Sequence, residues 1–174
     1  MILHYRKLNR LKNYDYSSSG YYFVTICVHK RSCVFGKVKN NKMILNVYGE
    51  MAEQCWLNIP KHFPDVELDE FVIMPNHVHG IIIIYNSQYV GNKNFCSLQN
   101  NKLPWQSKLS KSLSSIIRGY KIGVTEFCLK NEFKKFAWQK SYYDHIICND
   151  YSLLYIRQYI RDNPVNWNED RNNI

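Results

Sequence analysis

The stretch Asp69-Glu70-Phe71-Val72-Ile73-Met74-Pro75-Asn76-His77-Val78-His79-Gly80-Ile81-Ile82-Ile83-Ile84 sets two histidines, one residue apart, at the head of an apolar run. A run this rich in isoleucine and valine predicts a β-strand. Side chains alternate faces along a strand, so His77 and His79 project the same way, roughly 7 Å apart at Cα, while Val78 projects the other way. A strand that only had to pack would gain nothing from them, because buried polar groups cost free energy unless they are partnered. Two imidazoles on one stiff strand can hold a divalent metal ion; the alternative is a polar pair on a solvated sheet face.

The rest of the chain supplies the elements to surround that strand. Residues 1–20 are polar and basic and read as a loosely held lead-in. Tyr21 to Val28 reads as a central strand. Val34 to Asn46 reads as a hairpin with an Asn40-Asn41 turn. Tyr48 to Ile59 has helical spacing, with Pro60 expected to end it. Val66 to Met74 and His77 to Tyr85 read as strands, and Pro75-Asn76 is either a tight turn or a break within one bent strand. Residues 86–106 are rich in Asn, Ser and Gln and predict a surface-loop insertion. Ser107 to Lys130 carries a helical pattern, and Phe136 to Cys148 is extended. Asn149 or Asp150 can cap a last helix, Tyr151 to Asp162, which Pro164 stops. This order predicts an α+β fold, an antiparallel sheet with helices packed on one face, in one domain over residues 1–174.

Composition narrows the function classes. No apolar run approaches the roughly 18 residues of a membrane-spanning helix, and the N-terminus lacks the apolar core of a secretory signal. Six scattered cysteines without a CxxC pair read as reduced thiols, so a cytoplasmic location with no membrane partner is expected. The net charge of +9 favours a polyanionic partner. The 14 tyrosines add aromatic faces that can stack on unpaired bases.

Breaking a phosphodiester requires neutralising phosphate charge and placing a nucleophile in line. Two histidines rarely complete a metal shell, so a third ligand is expected from elsewhere. On the last helix Leu153, Ile156 and Ile160 form an apolar stripe, whereas Tyr155, Tyr159 and Asn163 recur every four residues on a separate face. Tyr159 therefore need not be core, and Asn163 offers an amide oxygen. Tyr120, in a basic helical segment, is the rival nucleophile.

Four segments together carry a family resemblance: YFVTICVHKRSCVFG (22–36), VIMPNHVHGIIII (72–84), WQKSYYDHII (138–147) and YIRDNPVNW (159–167). The chain resembles the single-tyrosine HUH transposases, most closely their REP-associated branch. The resemblance implies a ferredoxin-like domain that cleaves and rejoins single-stranded or hairpin DNA, associating with the bacterial nucleoid when it acts. His77 and His79 fall on the family's metal ligands, Tyr159 on its catalytic tyrosine and Asn163 on its third ligand. The implied cofactor is Mg²⁺ or Mn²⁺, and the implied intermediate a 5′-phosphotyrosine with a free 3′-OH. Arg157, Arg161, Arg118, Lys121, Lys111 and Lys108 are then candidate DNA contacts. Relatives of this fold act as monomers or homodimers, and either state is open here. Two other readings stand beside the transposase: a nucleic-acid-binding regulator of the same fold that has lost catalysis, and a zinc hydrolase with further ligands and water as nucleophile.

Overall fold

A four-stranded antiparallel sheet in the order β4-β5-β1-β6 forms the centre of the molecule. The computed structural model describes residues 14–85 and 112–173. The strands are β1 (Gly20–Cys27), β4 (Val66–Ile73), β5 (His77–Ile84) and β6 (Tyr143–Ile147). A separate hairpin pairs β2 (Gly36–Lys39) with β3 (Lys42–Leu45). Its two-residue turn places Asn40 and Asn41 at φ of 51° and 60°, the left-handed region that Asn tolerates and tight hairpins require. The helices are α1 (Val47–Leu57), α2 (Ile59–His62), α3 (Leu113–Lys130) and α4 (Asp150–Asp162). The expected lead-in lies partly, and the 86–106 insertion wholly, outside the described residues.

Strand β5 is buried along its whole length, which requires cover on both faces of the sheet. One face carries Tyr22, Val24, Ile26, Val78 and Ile82 against Trp56 of α1 and Ile116, Tyr120 and Val124 of α3. The other carries Phe23, Ile81 and Ile147 against Leu153, Ile156 and Ile160 of α4. The expectation of helices on one face therefore holds for α1 and α3 but not for α4. Its apolar stripe closes the face onto which His77 and His79 project.

Local sequence accounts for the boundaries. Asn46 caps α1, accepting from the N–H groups of Tyr48 and Gly49 at 3.0 Å each. Asn149, rather than Asp150, caps α4 by accepting from Ser152 N–H at 2.8 Å. The expected helix over 48–59 stops at Leu57. Pro60 does not end it but sits in the first turn of α2, where its missing N–H costs nothing. Pro75-Asn76 is a tight turn: Met74 N–H donates to His77 C=O at 2.8 Å, joining β4 to β5 as a hairpin. Within that hairpin the register slips between Leu68 and Phe71, a bulge centred on Asp69-Glu70.

Gly80 is where the helical layer meets the sheet most closely. A Cβ at this position would stand 2.3 Å from Cζ2 of the fully buried Trp56 ring. Trp56 is wedged between Phe71 and Tyr120, with ring centroids 5.9 and 5.3 Å away, and cannot retreat freely. Gly80→Ala is expected to cost about 1–3 kcal/mol through overpacking, read as a lower denaturant midpoint with an unchanged slope.

Candidate functional site

His77 and His79 occupy the first and third positions of β5, side by side on the α4 face, with ring centroids 4.4 Å apart and both residues fully buried. Each ring is oriented from behind. Nδ1 of His77 lies 2.8 Å from Oδ1 of Asn76, an acceptor, so this nitrogen carries the proton and Nε2 keeps its lone pair. Asn76 is itself locked: its Nδ2 donates to the carbonyls of Arg31 at 3.0 Å and Asn172 at 2.7 Å. Nδ1 of His79 meets the Thr25 hydroxyl at 2.9 Å, across the β1–β5 register. This hydroxyl can accept from Nδ1–H and leave Nε2 free. Such outer partners, which fix the tautomer of a metal-binding histidine, are typical of metal sites.

The last turn of α4 and the segment after it close over the rings. Tyr159 is half-buried, and its hydroxyl reaches Nε2 of His79 at 3.3 Å. Asn163 is buried at the helix end and donates from Nδ2 to Oδ2 of Asp170 at 2.9 Å. A 3-10 turn at Trp167–Glu169 then lays Trp167 against His77, with centroids 6.0 Å apart. It delivers Asp170, whose Oδ2 stands 4.0 Å from Nε2 of His77. The segment is tied down by Asn172, which accepts from Asn76, and by Arg31, which donates to the Arg171 carbonyl at 2.6 Å.

Among the described residues one set of ligand-type side chains converges: the donor atoms of His77, His79 and Asp170 lie within 4.8 Å of one another. Two buried polar atoms at this spot, Nε2 of His77 and Oδ1 of Asn163, make no hydrogen bond of good geometry, although the Asn163 side chain lies close enough to His77 and Tyr159 to bear on their protonation. Leaving them bare costs on the order of 1–3 kcal/mol apiece, and a bound cation would satisfy both. The residues thus fit a divalent ion held by two imidazole nitrogens and a carboxylate, with an amide oxygen beside them.

The electrostatics agree. Burial pushes His77 down to about 4, against the pull of the Asp170 carboxylate, and holds His79 well below its usual value, with His77 adding to the effect. Both rings are therefore neutral at pH 7, the form that binds metals. Burial raises the Tyr159 phenol above its ordinary value, so the hydroxyl keeps its proton at neutral pH.

The other candidates from the sequence fall elsewhere. Tyr120 is buried in the core on the opposite face, edge-on to Trp56, away from the histidines. Arg118 and Lys121 line a cleft of about 370 Å³ along α3 with Tyr142 and Lys140. Lys121 is spent on structure there, donating to the Gln139 carbonyl at 2.8 Å. Arg157 and Arg161 form ion pairs with Asp69 and Glu70. Lys108 and Lys111 lie outside the described residues. Reading the sequence missed Asp170, Asn76 and Thr25. Asn76 carried a signal, its place between Pro75 and His77; Asp170 and Thr25 carried none, because only folding brings them to the rings.

A REP-associated tyrosine transposase bound to a REP hairpin superposes with a TM-score of 0.57 over 95% of this chain and 74% of that one, at 20% identity. The chain thus has a mixed α/β fold similar to the transposase fold. A putative transposase from Deinococcus radiodurans aligns at a TM-score of 0.39 and 14% identity over 88% of this chain and 97% of that one, too distant to bear on the fold. No family model matches the chain. An uncharacterized protein of Haemophilus influenzae is 46% identical over 170 residues, covering 97% of this chain and 93% of its own length. The chain belongs to the same family as that protein.

Two outcomes are expected. In metal-free protein, the unfolded chain takes up a proton at His77 between about 6.5 and about 4 that the folded chain refuses. Its stability is therefore full above that window and falls as pH falls through it, which urea titrations in EDTA at a series of pH values will show. Second, Asn76→Ala frees Nδ1 of His77 and is expected to weaken Mn²⁺ binding about 10–100-fold in calorimetric titration.

Proposed function

We propose that this protein is a metal-dependent DNA strand transferase of the tyrosine HUH type, with Tyr159 as nucleophile and His77, His79, Asn163 and Asp170 as the metal-binding set. The observation that carries the reading is the convergence of the Tyr159 hydroxyl with the two oriented imidazoles, the Asp170 carboxylate and the Asn163 amide oxygen. Asp170 is an addition to the ligand set expected from the sequence. Mg²⁺ or Mn²⁺ are the candidate ions; two nitrogen donors favour Mn²⁺ over the oxygen-preferring Mg²⁺. A bound cation would neutralise phosphate charge where the tyrosine attacks.

The chain's own groups supply the rest. Tyr159 Oη forms a bond to the phosphorus of a single-stranded or hairpin DNA phosphodiester. The bond from phosphorus to the 3′ oxygen breaks, and that oxygen leaves as a 3′-OH after taking up a proton. The 5′-phosphotyrosine so formed keeps the bond energy, and a later 3′-OH can attack it to rejoin strands. The Tyr159 proton must leave as the bond forms, and its raised pKa makes assistance necessary. Arg31 and Arg171 flank the site; both bear on the protonation of His77, and Arg171 also stacks over Tyr143 at 5.5 Å. They, with the exposed Arg118, join Lys108 and Lys111 as candidate phosphate contacts. No helix among the described residues is long and apolar enough to cross a membrane.

One observation favours a second reading. Two histidines and an aspartate also match the ligand set of a water-activating hydrolase centre. The readings part at the tyrosine. Incubation with hairpin oligonucleotides and Mn²⁺ is expected to give a denaturation-resistant protein–DNA adduct. Tyr159→Phe is expected to abolish it, a loss of at least about 10³-fold, while DNA binding in a gel-shift assay stays within about threefold. Cleavage that persists in Tyr159→Phe without any adduct would favour the hydrolase. Binding without cleavage by the unaltered protein would favour the regulator.

A further inference from the structure

Helix α4 carries its functional residues on one flank and an ion-paired arginine pair on the other. At about 100° per residue, Tyr159 and Asn163 lie to one side of the Leu153-Ile156-Ile160 stripe, and Arg157 and Arg161 lie to the opposite side. The apolar stripe alone lets the helix roll on the sheet, since hydrophobic contact is non-directional. A roll of even a small angle would move the Tyr159 hydroxyl away from His79.

The arginine flank is held by an unusual feature of β4. In a regular strand, consecutive residues point to opposite faces, so Asp69 and Glu70 could not both face α4. The bulge between Leu68 and Phe71 sets two residues of β4 opposite one of β5. Leu68 and Phe71 both pack toward the α1 and α3 core, and the two acids between them both turn to α4. Asp69 takes a forked contact from Arg157, with Nε at 3.0 and 3.1 Å and Nη2 at 2.5 Å. Glu70 pairs with Arg161 one helical turn further on. A fork of this kind restricts orientation as well as distance, which a single Lys–carboxylate contact does not.

We propose that the Asp69-Glu70 bulge is a clamp that sets the roll of α4, so that Arg157 and Arg161 are positioning residues for Tyr159 rather than DNA contacts. The clamp acts within one chain, placing the tyrosine over that chain's own histidines. The Arg157–Asp69 fork is the stronger half, because Asp69 is 12% exposed and Arg161 is 55% exposed. The assignment of Tyr159 rests on the proposed function; the clamp itself does not.

The test uses the full chain with Asp69→Asn and Glu70→Gln combined, and a charge-swapped pair, Asp69→Arg with Arg157→Asp. Four quantities are measured: hydrogen exchange of the α4 amides, Mn²⁺ affinity, hairpin-oligonucleotide affinity, and the single-turnover adduct rate at saturating oligonucleotide. In the Asn/Gln variant, α4 exchange is expected to rise, both affinities to stay within about twofold, and the adduct rate to fall about tenfold or more, as misplacement of a reacting group by a fraction of an ångström does. The charge-swapped pair is expected to recover most of the rate. If the arginines instead read DNA, freeing them from their carboxylates would tighten oligonucleotide binding and leave the rate undiminished, and that result would overturn the clamp. Unchanged α4 exchange would also overturn it. Should the unaltered protein form no adduct, the strand-transferase reading fails, and the exchange measurement alone then decides the clamp.

Discussion

Closing the second face of the sheet is the constraint on which everything else rests. A four-stranded sheet can leave one face to water, and the histidine pair would then be an ordinary polar feature of that face. Here α4 lays Leu153, Ile156 and Ile160 over Phe23, Ile81 and Ile147, so His77 and His79 are sealed from solvent. Sealing makes the imidazoles neutral, requires a partner for each ring nitrogen, and brings the last helix within reach of them. The same packing event thus builds the core and the site.

The partners divide into two groups with different physical roles. Asn76 and Thr25 are part of the sheet and its turn, and they present the rings with fixed tautomers. Tyr159, Asn163 and Asp170 arrive from the end of the chain and leave two buried atoms without a hydrogen bond of good geometry. Native interiors rarely tolerate such atoms, and a cation among the donor atoms of His77, His79 and Asp170 would satisfy them. The C-terminal segment is held by contacts through Trp167, Asp170, Arg171 and Asn172, which makes its approach to the rings a property of the fold.

How far the sequence was legible follows from the range of each interaction. The strand with His-x-His, the Asn40-Asn41 turn, the capped last helix and its apolar stripe all depend on neighbours within a few residues, and each was readable. The placement of Tyr159 and Asn163 on one flank of the last helix follows from helical spacing, and their link to the histidines was what the resemblance implied. Pro60 was misread because the same ring that would end one helix can begin another. The arginines beside Tyr159 read from the sequence as candidate DNA contacts; that they pair with Asp69 and Glu70 is visible only in the fold, because a lone sequence shows their charge and not the carboxylates opposite.

By itself the sequence determined that two imidazoles share one face of a buried strand, and that a tyrosine and an asparagine share one flank of the last helix. Those facts follow from the two-residue and 3.6-residue periods of the backbone. Only the tertiary structure decided which face of the sheet that helix covers, that Asp170 reaches the rings from 91 positions beyond His79, and that a one-residue bulge turns both Asp69 and Glu70 toward α4. Contacts of that kind depend on how separate elements pack, and no local pattern encodes them.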